Sequence, residues 1–356
     1  MTILLLTHTE DQWSPDRVRD ALLAENADAV RVETDLFPSE IRLAAWHDGG
    51  GVRGMLHAGG RTIDLSTVSA VWHRRWNTAG QLSLRLSGDV LRGAERESEM
   101  SLEGVIAALP CFHLDDPSAT ERARNRTLQL QCAVEAGLDT PRTLTTNDPE
   151  AALRFYDECA GHVVVKMVSS FGVLDAEGHD QVVMTNRLTP EHLSKIDSLV
   201  LCPMTFQEQI EKALELRVTI VGHEVFAAAI DSSRDPKAGV DWRRATDALR
   251  SHWHPYLLPA TVRDGLIALL DDLEMNYGAI DVIVTPEGRY VFLEVNPVGQ
   301  FGWIEQSVGY PIASSIAGLL TGRLRRRVEL PRRSGLTRST SRTPEAPAHG
   351  VHRESR

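Results

Sequence analysis

The sequence predicts an α/β unit followed by two α+β units, and three observations carry that reading. "TILLLT" (2–7) is an unbroken apolar run ahead of a segment of helical period, the pattern of a strand buried on both faces of a parallel sheet. Further along, short β-branched runs alternate with amphipathic segments and end in turn residues, as in antiparallel sheets with helices on one side. The 356 residues, 42% hydrophobic and 24% charged, suffice for two or three packed units of ordinary globular composition.

The elements follow in order. "SPDRVRDALLAEN" predicts a helix with Ser14 as its cap and Pro15 at the first helical position. "DAVRVETD" reads as the next strand. Residues 40–70 read as short antiparallel strands joined at glycine turns, and "AVWHRRW" as a strand with a basic end. A long helix spans 88–109 and "CFHLDDP" leaves it extended, which closes an α/β domain at 1–118. A second domain, 119–207, opens with a helix whose apolar positions are Leu128, Cys132, Val134 and Ala136 and which stops at Gly137. It continues through helix "PEAALRFYDECAG" and strands "HVVVKMV", "QVVMTNRL" and "TFQEQI". A third domain, 208–330, holds strands "LRVTIVG" and "EVFAAAID", helix 260–275, a hairpin and a closing helix. Residues 331–356 are rich in Arg, Ser, Thr and Pro with few apolar side chains, and predict disorder.

A net charge of −11 argues against general nucleic-acid binding. The four cysteines are widely spaced with no C-x-x-C, which favours neither a zinc site nor a disulfide framework and fits a reducing compartment. No stretch reaches the ~18 apolar residues needed to span a membrane, and the N-terminal run is too short and unflanked for a signal sequence. The expectation is a cytoplasmic protein.

The hairpin "YGAIDVIVTPEGRYVFLEVNPVGQFGWIE" (277–305) carries oxygen donors where a buried strand should be apolar: Asp281 in one run, Glu294 and Asn296 in the other. A two- or four-residue loop centred on Glu287-Gly288 sets Asp281 opposite Glu294, and Glu-Gly at the centre predicts this even loop. Like charges facing across a ladder destabilise it, so a cation belongs between them. Hard oxygen donors suit Mg²⁺ or Mn²⁺ rather than zinc, and such an ion completes its shell with phosphate oxygens and water. The patch therefore points to a nucleoside triphosphate; the plainer reading is ordinary polar-out alternation.

Other segments are compatible with that site. Lys166 lies in an otherwise all-valine strand ahead of Ser-Ser-x-Gly, and a phosphate is its natural partner, although a lysine at a strand edge reads equally well as edge protection. Gln207-Glu208-Gln209-Ile210 forms a linker whose backbone can pair with an adenine edge. Glu215 and Arg217 share a strand face beyond it, suited to ribose hydroxyls and to a phosphate. Asp231, Arg243 and Arg244 sit in a Gly- and Pro-containing loop and are candidates for a carboxylate substrate, or a solvated loop. His252 and His254, with no third ligand, read as surface.

In this order the segments resemble the ATP-grasp superfamily over residues 1–328, and within it the ribosomal-peptide maturases of the graspetide, or microviridin-type, macrocyclase family. The resemblance is carried by "TDLFPSE" (34–40), "VWHRRW" (71–76), "NRTLQLQCAVEAGLDTPRTLTTN" (125–147), "QEQIEKALELRVTIVG" (207–222), "DWRR" (241–244), "WHPYLLP" (253–259) and "GAIDVIVTPEGRYVFLEVNPVGQFGWIE" (278–305). It implies an ATP-grasp fold that grips ATP between two sheets. It further implies that Lys166 binds phosphate, with Arg126 standing where relatives carry a second lysine. Glu208, Gln209 and Ile210 bind adenine and Glu215 the ribose; Asp281, Glu294 and Asn296 hold magnesium; Arg217 and Arg243 act on phosphate and substrate carboxylate. The implied reaction joins Asp or Glu side chains of a ribosomal precursor, whose leader docks on the central domain, to Ser or Thr hydroxyls or Lys amines of its core. Relatives imply a homodimer. The alternative is a ligase resembling glutathione synthetase or the ribosomal-protein glutamate ligases.

Overall fold

The computed structural model describes residues 1–48, 51–166, 172–174, 180–182, 185–235 and 252–329. The Arg-rich tail lies outside them. The N-terminal part begins with β1 (Thr2–Thr7), buried along its whole length, then α1 (Trp13–Ala24) and β2 (Asp28–Glu33), which lies parallel to β1. Ser14 does not cap α1: it lies inside the helix, and its hydroxyl donates to Gln300 Oε1 at 3.0 Å. Strands β3 (Arg42–Asp48), β4 (Gly51–Ala58) and β5 (Arg61–Asp64) form a separate antiparallel sheet. Gly59 and Gly60 turn between β4 and β5 at φ of 55° and 73°, values that favour glycine. β6 (Val68–His73), α2 (Gly88–Ala107) and β7 (Phe112–Leu114) complete a parallel sheet of order β2-β1-β6-β7.

Two short helices follow. α3 (Pro117–Ala123) is capped by Asp116, which accepts from Ser118 N at 2.9 Å; α4 (Arg126–Glu135) is capped by Asn125, which accepts from Leu128 N at 3.1 Å. Of the predicted apolar positions of α4, Cys132 is buried and Leu128 and Ala136 pack against the same core, but Val134 is not part of that face. Val134 is exposed, while Gln129, Cys132 and Ala133 are buried. The central sheet is antiparallel with order β12-β9-β13-β8, from β8 (Thr143–Thr146), β9 (Val163–Lys166), β12 (Asn186–Arg187) and β13 (Met204–Glu208). α5 (Pro149–Glu158) and α6 (Pro190–Leu193) accompany it, and β10 (Gly172–Leu174) pairs with β11 (Asp180–Val182). This part has its own core around Phe155, Val163, Leu199 and Phe206.

The C-terminal sheet is antiparallel, order β16-β15-β14-β17-β18, from β14 (Leu214–Val221), β15 (Glu224–Ile230), β16 (His254–Pro255), β17 (Tyr277–Val284) and β18 (Tyr290–Asn296). One face buries Val218, Ile280 and Val295 against α7 (Ala260–Asp272), with Ala123 and Ala133 of α3 and α4 in the same core. Near its β15 edge and lower end, the other face shares a core with the N-terminal sheet. There Ala228, Ile230 and Tyr277 meet Ile3, Leu5 and Trp72, with α1, α8 (Gly302–Val308) and α9 (Ile312–Thr321) filling the space. The first and third parts are thus fused through apolar burial, and the central sheet stands on a separate core.

Candidate active site

The site grows from the β17–β18 hairpin. Its loop is not the predicted even one. Thr285 N donates to Arg289 O at 2.9 Å and Gly288 N to Thr285 O at 2.9 Å, with Gly288 at φ 81°, so three residues, Pro286 to Gly288, make the turn. Without correction that register would set Asp281 opposite Leu293. Asp281 nevertheless faces Glu294, because the ladder shifts by one residue between Asp281 and Val282. The extra residue is a β-bulge, the device that re-aims side chains in a strand. Its consequence is direct: Leu293 and Glu294, neighbours in sequence, both line the cleft between the central and C-terminal sheets.

Across β14, Arg217 stands beside Asp281 and donates to its Oδ1 at 2.7 Å. Arg217 is 7% exposed, donates to Gln300 O at 3.3 Å and lies over the Trp303 ring. Burial works against its charge, but Asp281, with Tyr277 and Glu294 beyond it, outweighs burial and raises its pKa above the ordinary arginine value. Glu294 is paired with Arg126 at 3.2 Å. Two facing carboxylates are thus each held by a guanidinium. Buried Gln129 closes the free edge of β18 next to them, accepting from Val295 N at 3.0 Å and donating to Val295 O at 2.8 Å. Asn296 lies opposite Ala279, and its Oδ1 accepts from Val298 N at 3.3 Å.

The opposite wall is the central sheet. Lys166, at the end of β9, lines the cleft with Thr143, Thr145, Thr205 and Gln207, facing Leu293, Glu294 and Arg126. The Ser-Ser segment that follows Lys166 lies outside the described residues. In the linker, Glu208 N donates to Arg142 O at 2.9 Å and Gln209 N to His162 O at 2.8 Å. Ile210 follows them. Glu215 is buried against Lys212 at 2.7 Å; burial pushes its carboxyl up while Lys212 pulls it down, and the balance stays above the ordinary range. It does not line the cleft that holds Lys166 and Glu294. Asp231 caps a short turn, accepting from Ser233 N at 3.2 Å and from Arg234 at 3.0 Å. Arg243 and Arg244 lie outside the described residues.

Sequence reasoning missed the residues that strap the loop after β18. Arg74, 2% exposed, donates to the carbonyls of Val298 and Gly299; Tyr277 donates its hydroxyl to Gly299 O at 2.6 Å. A Cβ on Gly299 would sit 2.4 Å from Ala279 Cβ, so only glycine fits there. Asp115 is buried and accepts from Asn276 N and Tyr277 N, both at 2.9 Å, which pins the start of β17; burial pushes its carboxyl up to about 7. The signal for Arg74 was present as a charge at the end of an apolar strand. The carbonyls it holds, more than two hundred residues away, were not visible.

Nucleotide and metal chemistry can be tested against these residues. Among the described residues no group of three or more His, Cys, Asp and Glu side chains could hold a metal by itself. The donors here are two carboxylates and a carboxamide, an incomplete hard-oxygen set that suits Mg²⁺ sharing its shell with phosphate and water. The cations Lys166 and Arg126 border the same space, and Arg217 is paired with Asp281. The residues therefore fit a magnesium nucleotide.

A parallel-sheet unit joined to two facing antiparallel sheets, with acids on one wall and a lysine on the other, defines the ATP-grasp class. Residues 2–121 match the family described as the MvdD pre-ATP grasp domain. Solved structures match nearly the whole chain. Macrocyclase MdnC from Microcystis aeruginosa MRC, solved with precursor peptide MdnA, is 39% identical over 90% of this chain and 100% of its own, with a TM-score of 0.82. A RiPP-associated ATP-grasp ligase from Chryseobacterium gregarium, solved with ADP and a leader and core peptide, is 34% identical over 93% of this chain and 99% of its own, TM-score 0.88. Macrocyclase MdnB from the same Microcystis is 36% identical over 90% and 98%, TM-score 0.74. A RimK domain ATP-grasp protein from Sphaerobacter thermophilus, at 17% identity, shares the fold alone. No curated protein sequence matches the chain. The chain belongs to the RiPP ATP-grasp ligase family that includes these macrocyclases.

Proposed function

We propose that the protein activates Asp or Glu side chains of a ribosomal precursor peptide with ATP and joins them to Ser or Thr hydroxyls, or Lys amines, of the same peptide. What supports this is the bulge that sets Glu294 beside Asp281 on one wall, with Lys166 across the cleft, in a chain more than a third identical to peptide macrocyclases. In this reading residues 1–118, 119–207 and 208–330 act as its three domains. It is favoured over a ligase for an amino acid or a protein tail by the 39% identity to a macrocyclase solved with its precursor peptide.

Asp281, Glu294 and Asn296 hold the magnesium; Mn²⁺ suits the same oxygens. When bound, the ion supplies charge neutralisation at the transferring phosphoryl group. Lys166 and Arg126 hold phosphate oxygens from opposite walls. Leu293 offers its apolar side chain to the adenine. With the N–H groups of Glu208 and Gln209 engaged, the backbone donor to an adenine edge falls to Ile210 and the acceptor to the linker carbonyls. Glu215 reaches a ribose by exchanging its Lys212 contact for hydroxyls. Arg217 fixes Asp281 and the Gln300 carbonyl, and Arg243, Arg244 and Asp231 are assigned to the substrate carboxylate. The peptide carboxylate oxygen attacks the γ-phosphorus and the bond to ADP breaks. The hydroxyl or amine then attacks the acyl carbon, phosphate leaves with its oxygen, and the nucleophile loses its proton. The apolar pocket bounded by Val165, Leu188, Ile196, Leu199, Met204 and Phe206 is the place for a leader segment on the central sheet. Among the described residues no helix is long and apolar enough to cross a membrane, and all four cysteines are free; we place the reaction in the cytoplasm. Light scattering checks the homodimer.

The test is incubation with ATP, Mg²⁺ and the precursor encoded beside its gene. Expected are ADP and a peptide lighter by one water per ring. A peptide made heavier by added amino acids, or ADP release without loss of water, overturns the reading.

A further inference from the structure

The parallel sheet has order β2-β1-β6-β7, so the chain leaves β1 to one side for β2 and crosses back to the other for β6. The reversal creates a crevice at the carboxyl ends of β1 and β6, where open α/β sheets bind ligands. The crevice is present. It has a volume of about 500 Å³ and is lined by Leu6 and His8 at and just beyond the end of β1, by His73, Arg75 and Trp76 at and beyond the end of β6, and by Val298. Val298 follows Asn296 by two residues, so the crevice opens onto the loop that leaves β18.

The polar atoms there are unbalanced in one direction. His73 Nε2 lies 2.9 Å from His113 Nδ1, and His113 Nε2 lies 3.3 Å from Leu109 O. The buried side-chain atoms here with neither a hydrogen bond nor an ion pair are donors, Trp76 Nε1 and Arg74 Nη2, while Arg74 Nε faces Asp11. One carboxylate, Asp11, faces two guanidiniums, Arg74 at 3.3 Å and the half-exposed Arg75 at 3.6 Å. Arg74, Arg75 and Arg124 border the crevice, and its unsatisfied buried donors call for an acceptor-rich group. Glu99, Glu103 and Glu121 border the outer side, all exposed and hydrated. They oppose a run of negative charge and so favour a single carboxylate between neutral residues.

We propose that this crevice is a peptide subsite, which takes one carboxylate side chain of the substrate through Arg75 and the Trp76 indole while a neighbouring segment reaches the phosphoryl-transfer cleft. The inference rests on the ligase reading for its choice of a peptide. The probes are a fluorescein-labelled peptide of threonines with one central glutamate and its glutamine counterpart, followed by anisotropy on the full chain. The wild type is expected to bind the glutamate peptide about tenfold more tightly, as a charge-assisted contact provides. Arg75→Glu abolishes that preference without changing thermal stabilisation by ADP. Trp76→Phe, which keeps an aromatic side chain and removes the indole N–H, weakens it about threefold. Equal binding of the two peptides by the wild type, or an unchanged preference in Arg75→Glu, overturns the subsite. Turnover of the full precursor together with that negative result sinks the crevice alone. Acid-selective binding with no ADP release supports the crevice and sinks the ligase reading.

Discussion

The two walls of the nucleotide cleft are built on different principles. The C-terminal wall is charged and anchored. Arg217 and Asp281 are ion-paired within the sheet, Arg74 and Tyr277 strap the loop after β18, Asp115 pins the start of β17, and an apolar core fuses this wall to the N-terminal sheet. The central wall is mostly neutral. Its threonines bond to one another, as Thr145 does to Thr205 at 3.1 Å, Lys166 is its cation, and its core is its own. Buried charges are costly to desolvate and tolerate little displacement, so fixed geometry belongs where charge must be placed accurately. Hydroxyls tolerate shifts of a few tenths of an ångström. The difference assigns chemistry to one wall and grip to the other.

The largest test of that division is Glu294→Gln. It is expected to lower ring formation by about 10²–10³-fold, the scale of losing one preorganised electrostatic group, with precursor affinity within a few fold. Mass spectrometry showing the normal water loss at a normal rate would move the chemistry off this wall. Next is Lys166→Met on the central wall, expected to raise the KM for ATP by about tenfold and to lower kcat less. If kcat falls by as much as in Glu294→Gln, the two walls share the chemistry and the contrast fails. The smallest effect concerns the anchor. Asp115 has a folded-state pKa of about 7, raised by burial from 3.8. Below about pH 4 both states hold the proton. As pH rises from there towards 7 the unfolded chain ionises while the folded one keeps its proton, so stability declines across that window, by up to about 4 kcal/mol, and levels off above it. Melting curves of Asp115→Asn should lack most of that slope; an equal slope in both proteins would locate the titration elsewhere.

Much of this was legible in order along the chain. The apolar run of β1, the glycine turn between β4 and β5, the hairpin with its three oxygen donors and the end of α4 at Gly137 are local patterns, set by side-chain alternation and by φ. Asp281 faces Glu294 as anticipated, but by a route the local pattern did not contain. The turn has three residues, and the bulge at Leu293 restores the pairing. Turn composition could not reveal a bulge that pays off only when a second sheet lies opposite. Ser14 illustrates the same point from the other side: its sequence context reads as a helix cap, and its hydroxyl is spent on Gln300, 286 residues away.

The sequence by itself determined the elements, the choice of hard oxygen donors and the cation at the end of β9, because those follow from composition and period within a few residues. Only the tertiary structure decided which guanidinium meets which carboxylate, that Arg74 holds the loop after β18, and that the ends of β1 and β6 open beside it. Those pairings depend on the desolvation and shape of surfaces brought together from distant segments, and no local window contains both halves.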